Sequence, residues 1–272
     1  MNNRDTGTIK CIARGKLMGH YGLLICALIM ANLITSILSS ICTSVMSTAT
    51  VGGTAAYYLA EFIITILAAL LSVGISYMIL GIVRGESIGS RDLFFAISNH
   101  PDRYILANIL QTIIFIIPFL PGATVLYQTL MPDAAALLYG DSTESVSASA
   151  LMVLLGIILL IAGFIVFIWL YLRYALLTQV MLDNRDYGVI ESFRASADLM
   201  KGNKGRLFYL GISFVGWIIL GALSFGIGYL WISPYINASV TVFYLDVIGD
   251  NLGHVAGEDD IADADVHFDE VG

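Results

Sequence analysis

Six runs of apolar residues, each too long for a strand or a soluble core helix, limit what this chain can fold into. They cover about residues 22–46, 57–82, 104–126, 149–176, 207–225 and 229–248. A helix needs about 20 apolar residues to cross the hydrocarbon of a bilayer. In that medium every backbone polar group must be paired within the structure, so runs of this kind are helices. Only 12% of the residues are charged, against roughly 25% in a soluble domain, so no large soluble domain fits beside the six runs. Arg14 and Lys16 precede the first run in the manner of a signal peptide. The run is too long for a signal core and no small-residue cleavage site follows it, so it reads as a mature helix. The expected fold class is an all-α polytopic membrane protein: a six-helix bundle occupying residues 1–248, with short amphipathic helices on its cytoplasmic face.

The basic residues orient the bundle. Of the 13 Lys and Arg, four precede the first run, three lie between the second and third, and six flank the inner ends of the fourth and fifth. The connections 47–56, 127–148 and 226–228 hold none. Positive charge marks the cytoplasmic side, so six crossings place every basic residue, and both termini, inside. The formal charge of −8 comes from a tail, residues 249–272, that is rich in Asp, Glu and Gly and lacks Lys and Arg. This composition predicts a disordered acidic cytoplasmic tail. Outside it acids and bases balance, so the acidity belongs to the tail and says nothing about a nucleic-acid surface, and no nucleic-acid partner is expected.

A common unit precedes each pair of runs. Ile9, Ile12, Ala13 and Leu17 form one helical face before Gly19–Gly22. Ser90, a candidate cap, opens the stretch before Asn99-His100-Pro101. Val189, Ile190, Phe193, Ala197 and Met200 form a third face before Gly202-Asn203-Lys204-Gly205. Short helix, sharp turn and membrane hairpin would then repeat three times. Ala68, Ser72 and Ser76 form a row of small residues suited to close helix packing. Pro118 and Pro121 admit two readings. They break a helix beside a substrate site, or they end it near the outer face, and the second is the simpler expectation.

Few groups offer chemistry. Glu61 is the candidate intramembrane polar site, near the outer end of the second run. Arg173, Arg194, Lys201, Lys204 and Arg206 are candidate contacts for lipid headgroups or a partner. Asn32, Asn108, Gln111, Gln179 and Asn237 are candidates for hydrogen bonds between helices. No phosphate-binding loop, zincin pair or nucleophile elbow occurs. Cys11, Cys26 and Cys42 show no pairing or zinc spacing and read as buried small hydrophobes. His254 and His267 lie among tail carboxylates without a ligand pattern. No catalytic residue, metal or cofactor is expected.

The stretch Ser192–Phe208, with Lys201-Gly202-Asn203-Lys204-Gly205-Arg206, then Trp217, Gly226-Ile227-Gly228, Trp231 and Pro234-Tyr235, resembles a bacterial integral membrane family known only as domain-of-unknown-function family 975. The resemblance implies a multi-span protein of the bacterial cytoplasmic membrane, with Gly202, Gly205, Trp217, Gly226, Gly228, Pro234 and Tyr235 as motif residues. It brings no activity. The expectation is a non-enzymatic scaffold or accessory component of an envelope or export system. The alternative is a transporter or channel for small solutes or ions. The expected partners are the bilayer, its anionic lipids and a membrane protein.

Overall fold

A computed structural model describes residues 4–45, 51–139 and 146–250, and among them every regular element is helical. α1 (Thr6–Leu17), α2 (Tyr21–Val45) and α3 (Val51–Arg84) are followed by a 3-10 turn (Ser90–Phe94) and the short α4 (Phe95–Ser98). α5 (Pro101–Ile116) passes through a second 3-10 turn (Ile117–Phe119) into α6 (Leu120–Tyr139). The remaining helices are α7 (Val146–Tyr174), α8 (Leu177–Asp183), α9 (Val189–Leu199), α10 (Lys204–Ile212), α11 (Val215–Leu223) and α12 (Tyr229–Ile248). Five stretches are long and apolar enough to cross a membrane: Tyr21–Val45, Gly53–Arg84, Pro101–Leu130, Ala150–Asp183 and Lys204–Leu223. The chain forms two compact units, residues 1–105 with 176–272, and residues 106–175. Apart from Gly249 and Asp250, the acidic tail lies outside the described residues.

Burial divides the first unit into two regions. α3 has 34 residues, about 51 Å at 1.5 Å per residue, well beyond a hydrocarbon layer of about 30 Å. Its upper part leaves Tyr58, Leu59, Phe62 and Ile63 exposed, whereas Met78–Val83 are buried at every position. α12 shows the same change, since Thr241–Val247 are all buried. A helix buried on every face is surrounded by protein. The wrapping comes from the short helices: α1 packs on α12, α3 and α10, the Ser90–Phe94 turn and α4 pack on α3, and α8 packs on α3 and α9. The result is a helical cap around the C-terminal ends of α3 and α12. Because α12 is enclosed there, it tolerates Ser239, Thr241 and Asp246, and this polarity keeps it out of the set of five.

The amphipathic patterns acquire specific partners. α1 buries Ile9, Ile12, Ala13 and Leu17, the face its spacing predicts, and the Asp5 carboxylate caps it by accepting from the Gly7 N–H at 3.2 Å. α9 is rotated from the expected face. Ser192, Ser196 and Ala197 turn inward with Met200, while Ile190 is 65% exposed, because small residues let α9 approach α8 closely. Ser90 does not cap its helix. Gly89 occupies the cap position and donates to the Asp92 carboxylate at 2.8 Å. The close approach on α3 comes from Gly74, where a Cβ would strike the Leu93 carbonyl, whereas Ser72 of the predicted small-residue row stays exposed. The Tyr77 and Phe95 rings stack beside it with centroids 3.8 Å apart.

In the second unit α6 packs along α7. Gly122 and Gly156 face Leu160 and Leu126, and Gly163 faces the Pro118 carbonyl, with no room for side chains. Phe115, Phe119, Phe167 and Tyr171 interlock around them. Helical structure does not stop at Pro118. The chain takes one 3-10 turn there and continues into α6, because Pro121 falls in the first turn, where no N–H is needed.

Gly74→Val should lower stability by roughly 2 kcal/mol through overpacking. Gly211→Ala, with open space around it, should be neutral or stabilising. Thermal unfolding in detergent distinguishes the two.

Candidate functional site

The polar residues of the cap converge on the C-terminal turns of α12. Asp246 has a side chain of 0% exposure, and its Oδ2 accepts from Arg206 Nη2 of α10 at 2.7 Å. The same nitrogen donates to the Arg4 carbonyl at 2.8 Å, and Nη1 donates to Asn203 Oδ1 at 3.3 Å. The guanidinium lies 5.3 Å from the Phe243 ring centroid. One buried carboxylate thus ties α12 to α10 and the N-terminal segment.

A second cluster lies two residues back along α12. Tyr244 Oη donates to Asp183 Oδ2 at 2.8 Å, and Arg84 Nη1 donates to Asp183 Oδ1 at 2.7 Å. Arg84 also reaches Asp250 at 3.2 Å. This lattice joins the ends of α3, α8 and α12. Nearby, Arg103 donates to the carbonyls of Asn184 and Arg185, and the Arg185 guanidinium lies 5.0 Å from the Phe95 ring centroid. Lys10 fastens α1 by donating to the Ser213 carbonyl at 3.1 Å, with its ammonium 4.3 Å from the Phe214 ring centroid. Burial pulls the Lys10 ammonium below its usual range.

The residues singled out by sequence separate into different settings. Arg206 turns inward to Asp246. Arg194 is exposed on α9, and Lys201 is exposed beside Asp198 at 2.6 Å. Lys204 is half-buried at the start of α10. Gly202 has φ 82° and Gly226 φ 86°, turns that favour glycine, while Gly205 is surrounded by open space. Pro234 is buried and Trp217 exposed, and Tyr235 packs edge-on against Phe214 with centroids 5.2 Å apart. Arg173 belongs to the second unit, with its guanidinium 5.4 Å from the Trp169 ring centroid. Glu61 accepts from Ser39 Oγ at 2.7 Å, joining α2 to α3.

Several expectations change. Asn32 and Asn237 donate to carbonyls of their own helices, Leu28 and Ser233, rather than across helices. Cys11 and Cys26 are exposed and Cys42 is half-exposed, all three as free thiols. Cys26 lies on an apolar helix, where lipid replaces the protein core. Sequence reasoning missed Asp246, Asp183, Arg84 and Tyr244. The available signal was the lone acid inside the apolar run 229–248.

Two grooves accompany these clusters. One, in the cap, is lined by Val180, Asn184, Tyr187, Lys201, Tyr244 and Ile248. The other, shallow and open, is lined on α2 by Thr35, Ser36, Ser39, Ser40, Thr43 and Ser44. No three His, Cys, Asp or Glu among the described residues are grouped to hold a metal.

Long apolar helices joined to a packed helical cap define a multi-pass helical membrane protein. Residues 1–251 match the protein family of unknown function DUF975, and the chain belongs to that family. No curated protein matches it, and neither does any solved structure.

Asp246→Ala should cost about 3–5 kcal/mol, because it leaves Arg206 as an unpaired, largely buried charge. Arg206→Met combined with Asp246→Leu should recover most of that loss. Unfolding midpoints of the two variants in the same detergent test the pair.

Proposed function

We propose that this protein is a non-enzymatic membrane scaffold or accessory component of an envelope or export system, with its cap as the docking element. One observation carries the reading. The ion pairs of Arg206 with Asp246 and Arg84 with Asp183 hold the helices of the cap together, and Arg194 and Lys201 are exposed on its surface. Basic residues on amphipathic helices at a membrane surface engage anionic headgroups or an acidic partner. Lys204 would extend such contacts, Arg173 would make contacts of its own in the second unit, and Arg206 acts through the fold.

The topology proposed with this reading is a bacterial cytoplasmic-membrane protein with the cap and both termini in the cytoplasm. The three hairpins, α2–α3, α5/α6–α7 and α11–α12, each follow a short helical segment, which supports the threefold repeat. Each returns the chain to the side on which it began. The basic residues Arg84, Arg103, Arg185 and Arg206 share the cap, as the positive-inside tendency requires.

A specific observation favours a second reading as a small-solute or ion transporter or channel. Glu61 and Ser39 meet beside a stripe of hydroxyls on α2, a polar lining in an otherwise apolar helix pair.

Native mass spectrometry after gentle extraction tests the first reading. A stoichiometric protein or anionic lipid should remain bound and be lost in the Arg194→Glu, Lys201→Glu double variant. A bare protein together with solute flux that depends on Glu61 would replace it with the second.

A further inference from the structure

The third hairpin is shorter than the first by a margin that bears on how deep it reaches. Arg14, Tyr21, Trp217, Trp231 and Tyr235 line one groove where α1, α2, α11 and α12 meet. Arg14 is exposed, and Trp217 and Trp231 are each about half exposed. An exposed arginine among Trp and Tyr side chains is the signature of the headgroup level. From this ring α2 runs from Tyr21 to Val45, about 36 Å at 1.5 Å per residue. From the same ring α11 runs only from Trp217 to Phe225 before the chain reverses, about 12 Å. A hydrocarbon core is about 30 Å thick. Lys204–Leu223 has the length of a span only because it begins inside the cap, where Arg206 meets Asp246 and Ser213 meets Lys10.

The turn itself is built for lipid. Phe225 is 98% exposed, Leu223 73% and Ile227 62%, with no charged residue between them. Every backbone N–H from Phe225 to Tyr229 has an internal acceptor. Phe225 donates to Ala222, Gly226 to Gly221, Ile227 to Ser224 and Tyr229 to Gly226, at 3.1–3.2 Å. Gly228 donates to Ser224 Oγ at 2.8 Å, and that hydroxyl donates to the Gly221 carbonyl at 2.7 Å. A turn in water has no need of this closure, but a turn in hydrocarbon does.

We infer that α11–α12 is a re-entrant hairpin whose tip, Leu223–Ile227, ends among the acyl chains of the leaflet beside the cap. Four of the five candidate spans among the described residues then cross the membrane, and this hairpin is a wedge in one leaflet. The hairpin has this depth whether the cap docks a partner or the bundle transports a solute.

Single-cysteine proteins, with Cys11, Cys26 and Cys42 replaced by Ser, are reconstituted in phosphatidylcholine–phosphatidylglycerol vesicles. Phe225→Cys and, independently, Ile227→Cys are treated with a membrane-impermeant maleimide from each side, with Tyr58→Cys at the far end of α3 as reference. The expected result is labelling at position 58 from the far side and none at 225 or 227 from either side. Nitroxides at 225 and 227 should then meet oxygen far more often than a water-soluble nickel chelate. Labelling of either tip position from the side reached at 58 overturns the inference, because the hairpin would cross. Labelling from the cap side overturns it equally, because the tip would lie in water.

Discussion

A carboxylate with no exposed surface must be answered by a cation at bonding distance, and in this fold the answer organises the cap. Asp246 sits on α12 and Arg206 on α10, so α12 is tied to the helix that leads into α11, at the base of the third hairpin. Arg206 also grips the Arg4 carbonyl, which brings in the segment leading to α1. Two residues away, Tyr244 and Arg84 meet on Asp183 and draw in α3 and α8. Removing either partner of the Arg206–Asp246 pair leaves the other buried and uncompensated, which is the costly way to lose a buried ion pair.

The first unit is thus solvated in two ways. The upper parts of α2 and α3 present isoleucine, leucine and phenylalanine outward, where only lipid suits them. The ends of α3 and α12 are enclosed by short amphipathic helices, as in a small soluble protein. The change occurs along single continuous helices, which explains why α3 exceeds the thickness of a bilayer. It also explains why α12 carries serine, threonine and aspartate without being lipid-exposed. Because α10 and half of α12 are spent in the cap, little of the third hairpin remains for the membrane.

The all-helical, multi-span class was legible in the sequence, because apolar run length answers directly to membrane physics. The starts of α2 and α12, the buried face of α1 and the glycine turns at 202 and 226 lie where the residues point. The cap was harder to read. Helical spacing shows that α1 and α9 have apolar faces but not whether lipid or protein receives them, and on α9 Ser192 and Ser196 join the expected Ala197 and Met200 inside while Ile190 turns outward. Pro118 looked like a terminus because a proline denies a hydrogen bond, yet a 3-10 turn absorbs that loss and the helix resumes. The lattice of ion pairs and hydrogen bonds joins residues as distant in sequence as Arg4 and Arg206, and no local pattern encodes such partners.

Hydrogen exchange read by mass spectrometry on the protein in nanodiscs, with and without Asp246→Ala, shows whether the buried pair organises the cap. If the buried pair holds the cap as one cooperative unit, α1, α9 and the last turns of α3 and α12 are protected together. The substitution then releases all of them while leaving the upper halves of α2 and α3 unchanged. If α1 and α9 exchange at the same rates in both proteins, the short helices do not depend on the pair, and the cap is not one cooperative unit.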